Sequence, residues 1–215
     1  MKKNALERKP RQNRAGDAPS NTKLQKILKG GLELSDADIQ VLESSGCRVL
    51  FKRGQTLINE GEDPNWLGIV VEGQAEACKV VGGKRVFLGY VYPGDTFGEA
   101  ALLIGEQRRC YVVASRRLTI LKWMKEDLLH LMTGSSNISR WIAHRLFHHL
   151  QSMNTRFVGR TTRGAKERVL EQYATLKKTG YPKATITEIA RQAGVSRETA
   201  SRYLKGIRPE RKKRP

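Results

Sequence analysis

The sequence has no apolar run near the ~20 residues needed to span a bilayer, and no apolar stretch at all before Leu24. Neither a membrane anchor nor a secretory leader is expected from that pattern. Cysteine is scarce. Cys47, Cys78 and Cys110 form an odd, scattered set with no CxxC and no metal-ligand spacing. Reduced, buried thiols in a cytoplasmic protein are the expectation, with no disulfide framework and no metal. Of His130, His144, His148 and His149, only His144 and His148 stand at i, i+4. No carboxylate or thiol nearby completes a site, so they read as polar positions on a helix. No nucleophile–base pair and no P-loop are present either, so an enzyme is not expected. Acidic residues are outnumbered: 21 Asp and Glu face 40 Lys and Arg, a net charge of +19. Such an excess calls for a polyanionic partner, either nucleic acid or an anionic membrane surface.

The charge is concentrated at the ends. Lys2, Lys3, Arg8, Lys9, Arg11 and Arg14 face only Glu7 and Asp17 within residues 1–20. Lys205, Arg208, Arg211, Lys212, Lys213 and Arg214 face only Glu210 at the other end. Such runs read as solvated and disordered, yet flexible cations still release counterions from phosphates.

Between the ends the texture changes twice. Apolar residues from Leu24 to Leu42 suggest short helices broken at Gly30-Gly31, with Ser35 as an N-cap. From Val49 to Trp123, short apolar stretches alternate with glycine turns. They are Val49–Phe51, Thr56–Ile58, Leu67–Val71, Ala75–Val81, Val86–Val91, Tyr111–Ala114 and Leu118–Leu121. Many short strands at near-regular spacing predict a small all-β sandwich or barrel that closes on itself.

From Lys125 the period becomes helical. Ile138, Ile142, Leu146, Leu150, Met153 and Phe157 recur at spacings of three and four, widened by Trp141 and Phe147, with Ser135-Ser136 as the start. The stripe either packs on the barrel or pairs with a second copy. Its persistence over about five turns favours a dimer coiled coil. A further amphipathic helix from Arg163 to Lys178 turns Val169, Leu170, Tyr173 and Leu176 inward and stops at Gly180.

The strongest motif runs from Thr185 to Leu204. Thr185 and Glu188 make a capping-box pair. Ala190 is small where two helices must cross. Gly194 permits the left-handed turn between them. Val195 fills the inner angle, Ser196 caps the second helix, and Ala200 and Leu204 face inward. Arg197, Glu198, Ser201 and Arg202 remain on the outer, N-terminal half, where a recognition helix meets base edges. Arginine bonds guanine O6 and N7 bidentately, and glutamate accepts from cytosine N4. A plain helical hairpin with a charged face is the bland alternative. The combined small, glycine and apolar spacing argues against it.

With these residues in view the chain resembles the cyclic-AMP receptor protein family, including its fumarate-and-nitrate-reduction branch (the Crp/Fnr regulators), from roughly Leu32 to Leu204. Ser196-Arg197-Glu198-Thr199 and Ser201-Arg202 match that family's recognition helix. Phe51–Gln55, Glu60-Gly61-Glu62 and Val71-Glu72-Gly73 follow its glycine pattern. Tyr92–Leu102, through Gly98-Glu99, resembles the start of its phosphate-binding cassette. The resemblance implies an α+β architecture: an N-terminal cyclic-nucleotide-binding-like β-roll (jelly roll), a long dimerisation helix, and a winged-helix-like helix-turn-helix. The implied division is 1–22 basic extension, 23–132 roll, 133–160 dimerisation helix, 161–207 helix-turn-helix and 208–215 basic tail. It implies a small effector, cyclic AMP or another, and for cyclic AMP it sets Glu99 on the ribose 2′-hydroxyl and Arg108 on the cyclic phosphate; a structural ion pair between Glu99 and Arg108 inside the roll is the plain alternative. A palindromic operator of the TGTGA or TTGAT kind is implied too, read by a homodimer through Arg197, Glu198 and Arg202, with Ser201, Ser196 and Thr199 beside them. Double-stranded DNA, a second copy and RNA polymerase are the expected partners; a membrane is not.

Two departures stand out. Where nucleotide-binding relatives place two small residues after the cassette arginine, this chain has Arg109-Cys110. Arg109 either adds charge beside the phosphate or blocks the pocket. A basic tail is expected in place of the wing. No cysteine precedes Cys47, so no iron–sulfur cluster is expected. Two rival readings stay open: a cyclic-nucleotide module acting on a protein partner without a DNA role, and a nonspecific nucleic-acid packager.

Overall fold

Strands buried on both faces read as continuous apolar runs, whereas those buried on one face alternate. Both kinds occur in the computed structural model, which describes residues 25–28, 34–178 and 184–207. The basic ends, the expected breaks at Gly30-Gly31 and Gly180, and the replaced wing lie outside the described residues.

Residues 25–28 are helical, and α1 spans Asp36–Ser45. Ser35 caps α1: its hydroxyl accepts from the Asp38 N–H while the Asp38 carboxylate accepts from the Ser35 N–H. Eight strands follow among the described residues: β1 Cys47–Phe51, β2 Thr56–Ile58, β3 Trp66–Glu72, β4 Ala75–Val81, β5 Lys84–Val91, β6 Thr96–Phe97, β7 Tyr111–Ala114 and β8 Leu118–Met124. They form two four-stranded antiparallel sheets, ordered β1-β8-β3-β6 and β2-β7-β4-β5. This is the β-roll. The sequence reading missed β6 and the short helix α2, Glu99–Ile104. β6 has two residues and α2 six, too few for any period to show.

β8 shows how the sheets are filled. Leu118 and Ile120 point between the sheets, where they meet Leu57, Ile58, Val70 and Val112. Leu121 and Trp123 point the other way, onto a second core shared with the helices. The period-2 alternation of a strand produces that division. β3 is likewise buried on both faces, from Leu67 to Val71.

Helices α3 (Lys125–Gly134) and α4 (Ser136–Thr162) follow. Trp141 on α4 meets Trp123 edge-on at 6.2 Å. Both indoles are buried, and each N–H finds a carbonyl: Trp123 donates to Leu42 O at 2.8 Å and Trp141 to Leu28 O at 3.2 Å. Pairing a buried indole N–H in this way removes its desolvation penalty.

The chain divides into two compact units, one ending at Leu146 and the other beginning at Phe147. In the first, Ile138, Trp141 and Ile142 of α4 join the roll's helical core, with Leu146 against it. Beyond that point Phe147, Leu150, Met153, Phe157 and Val158 are exposed. The expected continuous stripe therefore has two fates. The second unit adds α5 (Ala165–Lys178), α6 (Ile186–Ala193) and α7 (Arg197–Leu204). Val169 and Leu176 are buried, and Leu170 and Tyr173 half-buried.

The expectation of buried thiols needs one correction. All three cysteines are free, Cys78 is buried and Cys110 half-buried, but Cys47 is exposed. It opens β1, the edge strand of its sheet, where nothing covers it. No helix among the described residues is long and apolar enough to cross a membrane. Nor do the described residues contain a cluster of three or more His, Cys, Asp or Glu side chains able to hold a metal.

Candidate functional site

Two places gather chemistry-bearing side chains, one inside the roll and one on the surface of the second unit.

Inside the roll, β6 ends at Phe97 and the chain turns at Gly98 into α2. Gly98 has φ +87, in the left-handed region, and a Cβ there would sit 2.5 Å from Arg108 Nη1. Only glycine allows both the turn and the guanidinium's approach. Glu99 and Arg108 are 5% and 4% exposed. The Arg108 backbone is pinned to the 59–62 loop, receiving the Gly61 N–H at 2.8 Å and donating to Glu62 O at 2.8 Å.

The Arg108 side chain donates from Nη1 to Gly98 O at 2.6 Å and from Nη2 to Trp66 O at 2.5 Å. Its guanidinium lies 5.5 Å from the Trp66 ring centroid. Burial pulls its pKa below the ordinary arginine value, opposed by the charges of Glu62 and Glu99. Among the described residues Arg108 forms no direct ion pair, and Glu99 Oε2 is buried without a hydrogen-bond partner. Glu99 and Arg108 are therefore not joined as a simple structural ion pair. A buried cation and a buried unpaired carboxylate oxygen are both costly. Together they suit a ligand that carries an anion and a hydroxyl.

The other cassette positions divide by side. Arg109 is exposed and pairs with Glu106 three residues back. Its side chain lies on the surface, away from the buried Arg108 beside it. Cys110 turns back inward, and burial pushes its thiol pKa up. Sequence reasoning missed Trp66, which lies far from Arg108 in the chain and carries no motif.

In the second unit, α6 and α7 form a helix-turn-helix. The Thr185 hydroxyl accepts from the Glu188 N–H at 3.2 Å, and the Glu188 carboxylate accepts from the Thr185 N–H at 2.6 Å. Gly194 closes α6 with φ 64 and ψ 44, its N–H reaching Ala190 O and Arg191 O. The Val195 N–H also returns to Ala190 O, at 3.0 Å. Arg168 of α5 clamps the same end, donating to Ala193 O at 2.8 Å and Arg163 O at 2.8 Å. Ser196 caps α7 by accepting from the Thr199 N–H at 3.1 Å, and the two hydroxyls lie 3.1 Å apart.

Helix α7 is divided lengthwise. Ala200 and Leu204 are buried beside Ile189, Ala190 and Ala193, while Arg197, Glu198, Ser201 and Arg202 are exposed. The Arg202 guanidinium lies 5.0 Å from the Tyr203 ring centroid. The Glu198 carboxyl is held below its usual range, first by its own backbone N–H, then by Ser196 and the Arg197 charge.

A family model described as a cyclic nucleotide-binding domain matches residues 48–135. Among curated proteins, the chain is similar to the Cyclic AMP receptor protein of Thermus thermophilus. The two are 27% identical over 181 residues, covering 82% of this chain and 84% of that protein. It is also similar to the cAMP-activated global transcriptional regulator of Pasteurella multocida, 28% identical over 161 residues, covering 70% and 77%. Among solved structures, the Thermus thermophilus catabolite activator protein matches with a TM-score of 0.54 at 26% identity, over 84% of this chain and 86% of that one.

Proposed function

We propose, from the premise that residues 48–135 form a cyclic nucleotide-binding domain in a chain built like Crp/Fnr-type regulators, that this protein is a dimeric, sequence-specific DNA-binding transcription regulator whose roll senses a cyclic nucleotide. The observation that carries the reading is the division of α7. One side locks into the second unit and the other presents Arg197, Glu198, Ser201 and Arg202 to solvent. Laid in a major groove, that side brings two guanidinium forks to guanine edges. Glu198 leaves its place at the helix start to accept from cytosine N4. Ser201 reaches an adjoining edge. Ser196 and Thr199, whose hydroxyls are engaged at the cap, frame the helix against the phosphate backbone.

Within the roll, the cyclic phosphate supplies the anion that Arg108 lacks, and the ribose 2′-hydroxyl donates to Glu99 Oε2. Gly98 keeps the approach open. Arg109, tied to Glu106, stays outside this cradle and contributes only long-range charge. Cyclic AMP is the first effector to test. The exposed second half of α4 pairs with the same face of a second copy, which sets two recognition helices against a palindrome. The effector acts by binding the DNA-competent arrangement more tightly than the other. The basic ends add nonspecific, salt-sensitive affinity. The setting is the reducing cytoplasm, with RNA polymerase as the downstream partner.

The test is fluorescence anisotropy on a TGTGA-type palindrome and a scrambled duplex, each with and without cyclic AMP at moderate salt. The palindrome binds more tightly, and cyclic AMP widens the gap. Arg197→Ala narrows it by about 1–3 kcal/mol. Equal binding to both duplexes under all conditions sinks the sequence-specific reading in favour of a packager. Specific binding indifferent to cyclic AMP removes only the effector.

A further inference from the structure

We propose that Trp66 is the positioning residue of the nucleotide site, its indole face holding the Arg108 guanidinium in the orientation that meets the phosphate. The proposal rests on the effector reading above and assigns a role that the cassette motif does not contain.

Arg108 is a long, buried side chain with no direct ion pair among the described residues. A guanidinium carries five N–H groups. Two go to the carbonyls of Gly98 and Trp66, which leaves the remaining donors for a ligand. Beyond the two carbonyls, the charges of Glu62 and Glu99 act on the cation without a direct ion pair. The ring 5.5 Å away adds an oriented contact, by attraction between the cation and the negative face of the indole. Trp66 is itself fixed, edge-on to Phe97 at 5.6 Å. Phe97 immediately precedes Gly98, so one short segment braces the ring and carries the turn that Arg108 bonds. Lys122 approaches the same indole, 5.0 Å from its centroid. Two cations therefore lie against one ring before any ligand arrives.

This juxtaposition separates ring from backbone. Replacing Trp66 keeps its carbonyl and the Nη2 bond while removing the indole face. Without the face, Arg108 regains rotamers that ligand binding must freeze again, so affinity falls. Trp66→Leu weakens cyclic AMP binding about tenfold, and Trp66→Phe, which keeps a smaller π face, about threefold. Trp66 also reports the event. It is half-buried beside the guanidinium, whereas Trp123 and Trp141 are buried against each other in the helical core.

The experiment titrates cyclic AMP into wild type, Trp66→Phe and Trp66→Leu by calorimetry, with tryptophan emission and thermal midpoints measured in parallel. The expected result has three parts. Affinity ranks Trp, Phe, Leu. Wild-type emission changes on binding. Trp66→Phe, with a midpoint near wild type, still binds but shows no emission change. Equal affinity in all three proteins overturns the assignment and leaves the pocket intact, as does a ligand-dependent emission change that persists in Trp66→Phe. Wild type that takes up neither cyclic AMP nor cyclic GMP overturns the nucleotide reading, and this assignment falls with it. Calorimetry does not depend on the tryptophan, so the two failures are distinguishable.

Discussion

The two halves of α4 carry one apolar spacing and meet opposite surroundings. In the first half Ile138, Trp141 and Ile142 are at most 1% exposed. In the second, Leu150 is 58% and Phe157 70% exposed. The difference lies in what sits beside each half. The first is tied down at several points. Ser135, just before the helix, donates to Asp38 at 2.8 Å, and Asn137 to the same carboxylate at 3.2 Å. Trp141 bonds Leu28 O. Arg145 donates to Gly94 O at 2.8 Å and Ile27 O at 2.8 Å, and stacks on Trp141. The second half has a comparable apolar face with nothing of its own unit over it. Periodicity reports that a helix has a face to bury; it does not report where the cover comes from.

The comparison breaks first at Trp141. Trp141→Ala leaves a cavity against Trp123 and an unused Leu28 carbonyl, and costs about 3–5 kcal/mol in urea unfolding. A loss below about 1 kcal/mol would mean that the first half is not seated as described. Arg145→Met is next. It keeps the apolar stem over Trp141 but strands two carbonyls, for a loss of roughly 1–3 kcal/mol by the same measurement. The second half should answer differently. Phe157→Asp leaves stability at low protein concentration within about 0.5 kcal/mol, since it removes an exposed group. On the proposed dimer, it also converts dimer to monomer in sedimentation velocity. An unchanged dimer would move the interface elsewhere on the molecule.

What could be read from the sequence follows the range of the interactions concerned. The caps at Ser35, Thr185 and Ser196 and the turn at Gly194 are local, within four residues, and each is present as read. The strands were legible because β-branched runs alternate between glycines. The site was only half legible. Glu99 and Arg108 sit in a motif, and the structure buries both, close enough for their charges to interact. That Trp66 backs Arg108 and that Arg145 ties α4 to the turn at Gly94 are contacts between distant segments, with no periodic signature; the outward turn of Arg109 to Glu106 is local but lies in a stretch with no regular period. Cys47 departs from the burial usual for cysteine because residue type predicts burial only on average. An edge strand's first residue falls outside that average.

The smallest effect sharpens the comparison most, since it concerns the charge that anchors the first half. Asp38 accepts from the Ser35 hydroxyl at 2.6 Å as well as from Ser135 and Asn137. Ser35 foremost, then these two, hold its carboxyl below the ordinary range against the opposing pull of burial. A carboxyl with a lower pKa in the folded chain than in the unfolded one binds protons less readily when folded. Its contribution is whole above the unfolded value of about 4, and is lost as the pH falls through the folded value. Asp38→Asn keeps an acceptor and a similar shape but no charge. Wild type should therefore exceed Asp38→Asn in urea midpoint at pH 7, and the gap should narrow below pH about 4 as Asp38 takes up its proton. The other carboxyls titrate in both proteins and cancel in the difference. A gap that stays constant from neutral to acid pH would assign the anchoring to shape rather than charge. The first half of α4 would then be seated by its tryptophan and arginine, with the carboxylate a bystander.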